Sequence, residues 1–114
     1  MKIRILLIEP RQRAQAIWVD PSHETLTGML GGEMEMSNPL NDGTVIISRE
    51  GADRDGSPVN RVIRNNRGQI VKEYSGTIIV AGLFMKAGEL DSLTDKEIQQ
   101  VNDRLEMIRS EVEL

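Results

Sequence analysis

Apolar and polar residues alternate at the start of the chain, and this alternation predicts a strand. In residues 2–8 the odd positions are all apolar, whereas the even positions change from charged to apolar. This pattern is typical of a strand whose second face is partly buried. A turn at residues 10–13 and a second apolar stretch, Gln15 to Val19, predict that residues 2–19 form a hairpin.

A short helix is predicted directly after this hairpin. Asp20 can cap the first amides of a helix, and Pro21 suits the first helical position, where a backbone N–H would have no partner. Gly31 and Gly32 follow an apolar stripe and predict the end of the helix. Residues 33–36 then alternate as in a half-exposed strand, and a turn at residues 41–43 leads to a buried strand at residues 44–47.

The second half of the chain is less regular. Its pattern predicts a loop at residues 51–57, a turn at residues 65–68, strands at residues 69–74 and 77–81, and a connector at residues 82–88. Thr94 and Glu97 have the spacing of a capping box. Apolar residues then recur at intervals of three and four up to Val112. We expect one long helix that lies on the sheet, with self-association of this helix as the alternative.

Together these elements predict a single α+β domain over residues 1–114. It has a mostly antiparallel sheet, one short helix after the N-terminal hairpin and one long C-terminal helix. The chain has 114 residues with one Trp, one Tyr and one Phe, so we expect one aliphatic core. A homo-oligomer would let such a small protein bury more surface.

The composition excludes several kinds of chemistry. There is no cysteine, which excludes disulfides, cysteine zinc sites and thiol nucleophiles and fits a reducing compartment. The N-terminal apolar run ends at Glu9-Pro10 and is too short for a signal peptide. No stretch reaches the roughly 20 apolar residues of a membrane span. We therefore expect a cytoplasmic protein that makes no membrane contact.

Charge is unevenly distributed around a net value of −4. Residues 86–114 carry four basic and eight acidic side chains, whereas residues 49–72 carry six basic and three acidic ones. An acidic protein has little general attraction for nucleic acid, so we expect no nucleic-acid partner. A local basic patch can still hold a small anion.

No catalytic or metal-binding motif stands out. A calcium loop around Asp53 and Asp55 would place Gly51 first and Val62 twelfth, where acidic ligands are required, so a solvated turn is favoured. The single histidine, His23, falls in the predicted first helical turn and is read as a surface residue. We expect no metal and no cofactor. A lone Trp, Trp18, is read as core more readily than as a stacking platform.

Two polar clusters between residues 41 and 76 are the candidates for ligand binding. Arginine presents planar donors to phosphate oxygens, amides and carboxylates hydrogen-bond bases or sugars, and glycine lets the backbone approach a ligand. The alternative is a scattered, solvated surface. The predicted ligand-binding residues are Arg49, Glu50, Gly51, Asn60, Arg61, Gly76 and Thr77.

Short motifs extend over nearly the whole chain in a defined order. They are Ile8-Glu9-Pro10, Gly31-Gly32, Asp42-Gly43, Arg49-Glu50-Gly51, Pro58 to Arg61, Gly76-Thr77 and Leu93-Thr94-Asp95. In this order the chain resembles a family catalogued as a domain of unknown function, number three thousand eight hundred and forty-six. Its members are small proteins of phages, plasmids and other mobile elements. Arg49 departs from the family, which usually has Asn there, and the resemblance implies a setting without an activity.

Three hypotheses follow from these observations. The first is a non-catalytic binding protein that holds a phosphate-bearing small ligand, such as a nucleotide immune signal, and sequesters it from a host defence. The second is an inhibitor that binds a host protein through the acidic residues Asp95, Glu97, Asp103, Glu106, Glu111 and Glu113. The third is an enzyme, for which no acid or base is identified.

Overall fold

The computed structural model describes residues 1–40, 42–84 and 89–107, in which nine strands and two helices form. In chain order they are β1 (Ile3–Ile8), β2 (Gln15–Val19), α1 (His23–Leu30), β3 (Met34–Ser37), β4 (Thr44–Arg49), β5 (Val59–Arg64), β6 (Ile70–Ser75), β7 (Ile78–Phe84), β8 (Glu89–Asp91), α2 (Asp95–Arg104) and β9 (Glu106–Met107). The predicted α+β class is confirmed. Neither helix is long and apolar enough to cross a membrane within the described residues.

Two antiparallel sheets contain these strands. The first sheet has the order β2-β1-β7-β4-β3, with β8 paired to the C-terminal end of β7, and the second has the order β6-β5-β9. β7 is central because β1 and β4 pair with its two edges. Ile78, Ile79 and Val80 of this strand have no solvent exposure. A strand buried on both faces carries an uninterrupted apolar run, which is why a strand was predicted at residues 77–81. The strand continues to Phe84, so the first three residues of the predicted connector belong to β7.

Each face of the first sheet carries its own apolar cluster. On one face, alternate residues of β1 and β4 pack against Leu26 and Leu30 of α1. On the other face, the intervening residues pack against Ile63 and Tyr74 of the second sheet and Val101 of α2. The predicted burial of both faces of β1 is confirmed, and the second sheet lies over one face of the first.

The short helix begins at a different cap from the one predicted. Ser22 is the N-cap, and its side chain accepts a hydrogen bond from the Thr25 amide. Asp20 instead accepts from the Ser22 amide at 3.1 Å and so orients the cap. Gly31 ends the helix in the left-handed region at φ 84°, as predicted. Trp18, expected in the core, is 60% exposed on β2.

The C-terminal helix is confirmed only for residues 95–104. Its capping box is present, with the Glu97 amide donating to Thr94 Oγ1 at 3.1 Å and Glu97 Oε1 accepting from the Thr94 amide at 2.9 Å. After Leu105 the chain turns into β9, which pairs with β5. The apolar spacing did not predict that the helix ends here. Leu105 is buried where the helix ends, and it would also be buried within a longer helix, so its apolar side chain fits both structures. Ile108 and Val112 lie outside the described residues.

Candidate functional site

Asn60 is a buried polar residue that joins the two sheets. It lies on β5 and is 1% exposed. Its Nδ2 donates to the Ile8 carbonyl at 2.9 Å, at the end of β1, and to the Gly76 carbonyl at 2.7 Å, just before β7. Its Oδ1 accepts from Arg61 Nη1 at 2.8 Å. Both amide hydrogens are used within the protein, so Asn60 holds this region together and has no donor left for a ligand.

A bulge in β5 explains why Asn60 and Arg61 are both buried. Val59 lies opposite Ser75 and Arg61 lies opposite Tyr74, so Asn60 is an extra residue in the ladder. In a regular strand, adjacent side chains point to opposite faces, but a bulge changes the direction of a side chain. The two neighbours can therefore contact each other. The hydrophobic pattern does not show this register shift, and it did not predict β5.

Arg61 is a buried cation without a carboxylate partner among the described residues. It is 4% exposed, and none of the ion pairs among the described residues involves Arg61. The guanidinium donates instead to neutral oxygens: Nη1 to the Asn60 carbonyl at 3.1 Å and to Asn60 Oδ1, and Nη2 to the Gln12 carbonyl at 2.5 Å. Burial lowers the pKa of Arg61, because removal from water disfavours the charged form.

The guanidinium keeps unused hydrogen-bonding capacity. Arginine has five N–H donors and is effectively always charged in proteins. Arg61 makes three hydrogen bonds within the described residues, two from Nη1 and one from Nη2. Within the described residues, the Nε–H and the second Nη2–H of Arg61 have no acceptor. A buried charge without a counter-ion is unfavourable, and an anion at these two donors would relieve that cost.

Arg61 opens onto a groove of about 610 Å³. The groove is lined by Arg13, Ala14, Arg61, Asn102, Leu105, Glu106 and Met107. Glu106 is the one carboxylate in this lining, and its Oε1 already pairs with Arg64 Nε at 3.2 Å. Two arginines therefore face the groove against one carboxylate that is engaged elsewhere. The electrostatic balance of the groove favours an anion.

The turn between β1 and β2 completes one side of this groove. Its Gln12 carbonyl binds Arg61, and Arg13 stands exposed at the rim. Arg11 adopts a left-handed backbone at φ 63°, which is unfavourable for a residue with a side chain. The sequence pattern predicted only an ordinary turn here and did not indicate a role for Gln12 or Arg13. Its two arginines in three residues were the available signal, but their proximity to Arg61 depends on the fold.

Gly76 and Thr77 contribute to the same region through the backbone. Gly76 has φ 72°, its amide donates to the Pro58 carbonyl at 2.9 Å, and its own carbonyl accepts from Asn60. A left-handed conformation of this kind favours glycine. Thr77 is half-buried, and neither residue lines the groove. The structure thus brings Gly76 to Asn60, but Gly76 does not line the groove that Arg61 faces.

Arg49 lies at a different place, the end of β4. Its Nη2 donates to Ser57 Oγ at 2.9 Å and pairs with Asp55 Oδ2 at 2.5 Å. Hydrogen bonds from Ser57 and then from Arg49 lower the pKa of Asp55 to about 2. The positive charge of Arg49 is therefore balanced within the protein, and the side chain fastens the loop at residues 51–57.

Glu50 and Gly51 belong to the Arg49 side of the molecule. Glu50 is exposed and its amide donates to the Glu33 carbonyl at 2.8 Å, while Gly51 turns the chain at φ 84°. A separate cavity of about 80 Å³ lies beside Arg49 and shares no lining residue with the Arg61 groove. The predicted ligand-binding residues are thus divided between two places.

The model of the domain of unknown function DUF3846 matches residues 1–106 of the chain. The chain belongs to the DUF3846 family. The resemblance derived from the short motifs is therefore confirmed at the level of the family. No curated protein and no solved structure matches the chain.

The geometry gives several DUF3846 motifs a structural role in this chain. Three of them meet at one amide, because Asn60 bonds the carbonyls of Ile8 and Gly76. The Gly31-Gly32 motif ends α1, and Thr94 caps α2. Arg49 spans the loop to Asp55 and makes an internal ion pair there.

Of the acidic residues named for binding a host protein, three of the four that the structure describes are engaged within the fold. Asp95 Oδ1 accepts from Arg4 Nη2 at 2.7 Å, Glu97 completes the capping box, and Glu106 pairs with Arg64. Asp103 is exposed, while Glu111 and Glu113 lie outside the described residues. Carboxylates that already have partners have less to offer a basic protein surface.

Proposed function

We propose that this DUF3846 protein binds a phosphate-bearing small molecule, such as a nucleotide, without catalysing a reaction. The observation that carries the proposal is Arg61, a buried guanidinium with two unused donors that opens onto a groove. Phosphate oxygens accept two parallel hydrogen bonds from one arginine, and such charge-assisted bonds are stronger than neutral ones. Arg13 at the rim supplies a second positive charge.

The groove also suits the remainder of a nucleotide. Its volume of about 610 Å³ lies within the roughly 300–1,000 Å³ that small-molecule sites occupy. Ala14, Leu105 and Met107 provide apolar lining, and Met107 is 40% exposed. Apolar side chains beside a cationic anchor fit a base or sugar attached to a phosphate.

The remaining predicted residues have supporting roles in this proposal. Asn60 positions Arg61 through two hydrogen bonds, and Gly76 positions Asn60. Arg49, Glu50, Gly51 and Thr77 do not line the groove, so the proposal assigns them no ligand contact. In the phage or mobile-element setting that the family resemblance implies, retention of a host nucleotide signal without turnover would sequester it.

Titration calorimetry of the 114-residue protein with inorganic phosphate and with mono-, di- and cyclic nucleotides tests this proposal. Arg61→Lys keeps the charge but loses the planar fork, so the affinity should fall by ten- to a hundred-fold, which corresponds to about 1.5–3 kcal/mol. Arg13→Gln leaves the internal bonds of Arg61 intact and should also weaken binding. Arg67→Gln, in an exposed turn, is the matched control and should bind as the unchanged protein does.

The outcomes separate binding from its alternatives. Ligand recovered chemically unchanged after prolonged incubation supports sequestration, and turnover would show an enzyme instead. Absence of heat with every compound, or equal affinity of the Arg61→Lys and unchanged proteins, would reject the groove as the site. Circular dichroism of each variant distinguishes loss of ligand binding from loss of the fold.

A further inference from the structure

β2 is an unprotected sheet edge. Among the described residues, β2, β3, β6, β8 and β9 each pair with another strand along one edge only. Charged side chains on such strands oppose the addition of a further strand. The other four carry them, namely Glu35 in β3, Lys72 and Glu73 in β6, Glu89 and Asp91 in β8, and Glu106 in β9. β2, with the sequence Gln15-Ala16-Ile17-Trp18-Val19, carries none.

The same strand exposes a large aromatic side chain. Trp18 is 60% exposed, and Gln15 and Ala16 are exposed beside it. A tryptophan can bury 150–250 Å² in an interface, so its exposure leaves a large apolar surface in water. Ile17 and Val19 point to the opposite face, where they pack at the margin of the cluster under α1.

We propose that two copies of this chain pair through β2, antiparallel, around a two-fold axis at Ile17. Residues directly opposite each other in an antiparallel pair point to the same face, whereas neighbours along a strand point to opposite faces. A two-fold axis must therefore place one residue opposite its own copy. An axis at Ile17 pairs all five residues of the strand. An axis one position away would leave part of the strand unpaired.

This register is self-complementary. It places Trp18 opposite Ala16 of the partner subunit, a large side chain against a small one, on the face that carries the exposed indole. On the other face it places Ile17 opposite the partner's Ile17, and Gln15 opposite the partner's Val19. No like charges meet within the paired strands, and cross-strand aromatic and aliphatic pairs stabilise sheets.

Charges beyond the strand ends also match. Residue numbers of opposite residues sum to thirty-four in this register, so Asp20 lies opposite Ala14 of the partner subunit. Asp20 is then next to the partner's Arg13, and both residues are exposed in the single chain. Opposite charges at the two ends of an antiparallel pair favour this direction and register. The dimer would join the two first sheets into one continuous sheet.

The proposed dimer and the anion site share Arg13, but the dimer is tested without ligand. Sedimentation velocity of the ligand-free protein from micromolar to millimolar concentration should show a species of twice 12.8 kDa. Trp18→Lys puts a charge on the edge and should leave a monomer. Val71→Lys is the matched control, because Val71 is 58% exposed on the β6 edge, and it should leave the dimer intact.

Cysteine substitution tests the register, because the chain has no native cysteine. Ile17→Cys places two thiols across the axis and should give a disulfide-linked dimer on mild oxidation. Trp18→Cys alone should link poorly, whereas an equimolar mixture of Ala16→Cys and Trp18→Cys should give the mixed dimer without any change at Ile17. The proposal would be overturned by a monomer at every concentration, or by a dimer that Val71→Lys dissociates and Trp18→Lys does not. It would also be overturned if Trp18→Cys formed the disulfide-linked dimer faster than Ile17→Cys.

Discussion

Replacement of Asn60 by alanine tests the central tie between the two sheets. The substitution removes three hydrogen bonds, at 2.9 Å to the Ile8 carbonyl, 2.7 Å to the Gly76 carbonyl and 2.8 Å from Arg61 Nη1. The residue is 1% exposed, so water cannot reach these groups without a structural change. One buried carbonyl, one partly buried carbonyl and one buried cation would each lose a partner.

The expected loss of stability follows from these bonds. A neutral hydrogen bond contributes about 1 kcal/mol and one to a charged group about 1.5–3 kcal/mol, so the three together contribute about 4 kcal/mol. The free energy of unfolding of a domain this size is about 5–15 kcal/mol. Asn60→Ala should therefore remove a large part of it and lower Tm by more than about 10 °C.

Urea unfolding followed by far-UV circular dichroism measures this loss. Fluorescence is a weak reporter here, because the single tryptophan is already 60% exposed in the folded chain. Asn66→Ala, at an exposed turn position, is the matched control and should change stability by less than about 0.5 kcal/mol. A loss below about 1 kcal/mol for Asn60→Ala would refute the assignment of Asn60 as the tie between the sheets.

Two further predictions concern the backbone and the loop beside Arg49. Gly76→Ala should lower the free energy of unfolding by about 1–2 kcal/mol, because φ at this position is 72°. Gly28→Ala lies in α1 with open space around it and should raise the free energy of unfolding by up to about 1 kcal/mol. Urea unfolding of both variants tests whether the two effects have opposite signs. The pKa of Asp55 falls from 3.8 to about 2 on folding, so its stabilising contribution is present above pH 3.8 and lost as the pH falls through 2. An NMR titration should place the Asp55 midpoint near 2, and Asp55→Asn should remove this part of the pH dependence; a midpoint near 3.8 would contradict the Arg49 contact.

Features set by local chemistry were predictable from the sequence. The capping box at Thr94 and Glu97 needs only a spacing of three residues, and the helix stop at Gly31 needs only a residue that tolerates positive φ. The buried strand β7 was evident because an apolar run between turn residues has few alternatives. In each case the residues that decide the structure are close together in the chain.

Features set by distant contacts were not predictable. β5 contains Asn60 and Arg61, whose polar side chains break the strand pattern, and their burial depends on carbonyls contributed by Ile8 and Gln12. β9 forms because β5 offers it an edge, and no local signal marks the end of α2 at residue 104. The same holds for the candidate site. Arg61 could be predicted as a ligand-binding residue from its residue type, but the position of Arg13 beside the same groove is evident only from the fold.

NMR observation of the arginine Nε–H groups tests the anion site most directly. With inorganic phosphate and then nucleotides added to the ¹⁵N-labelled protein, the Nε–H resonance of Arg61 should shift saturably, because this donor has no acceptor among the described residues. The Nε–H resonances of Arg49 and Arg67 should not change. No shift at Arg61 up to millimolar ligand, or a saturable shift at Arg49 instead, would contradict the assignment of the Arg61 groove as the ligand site.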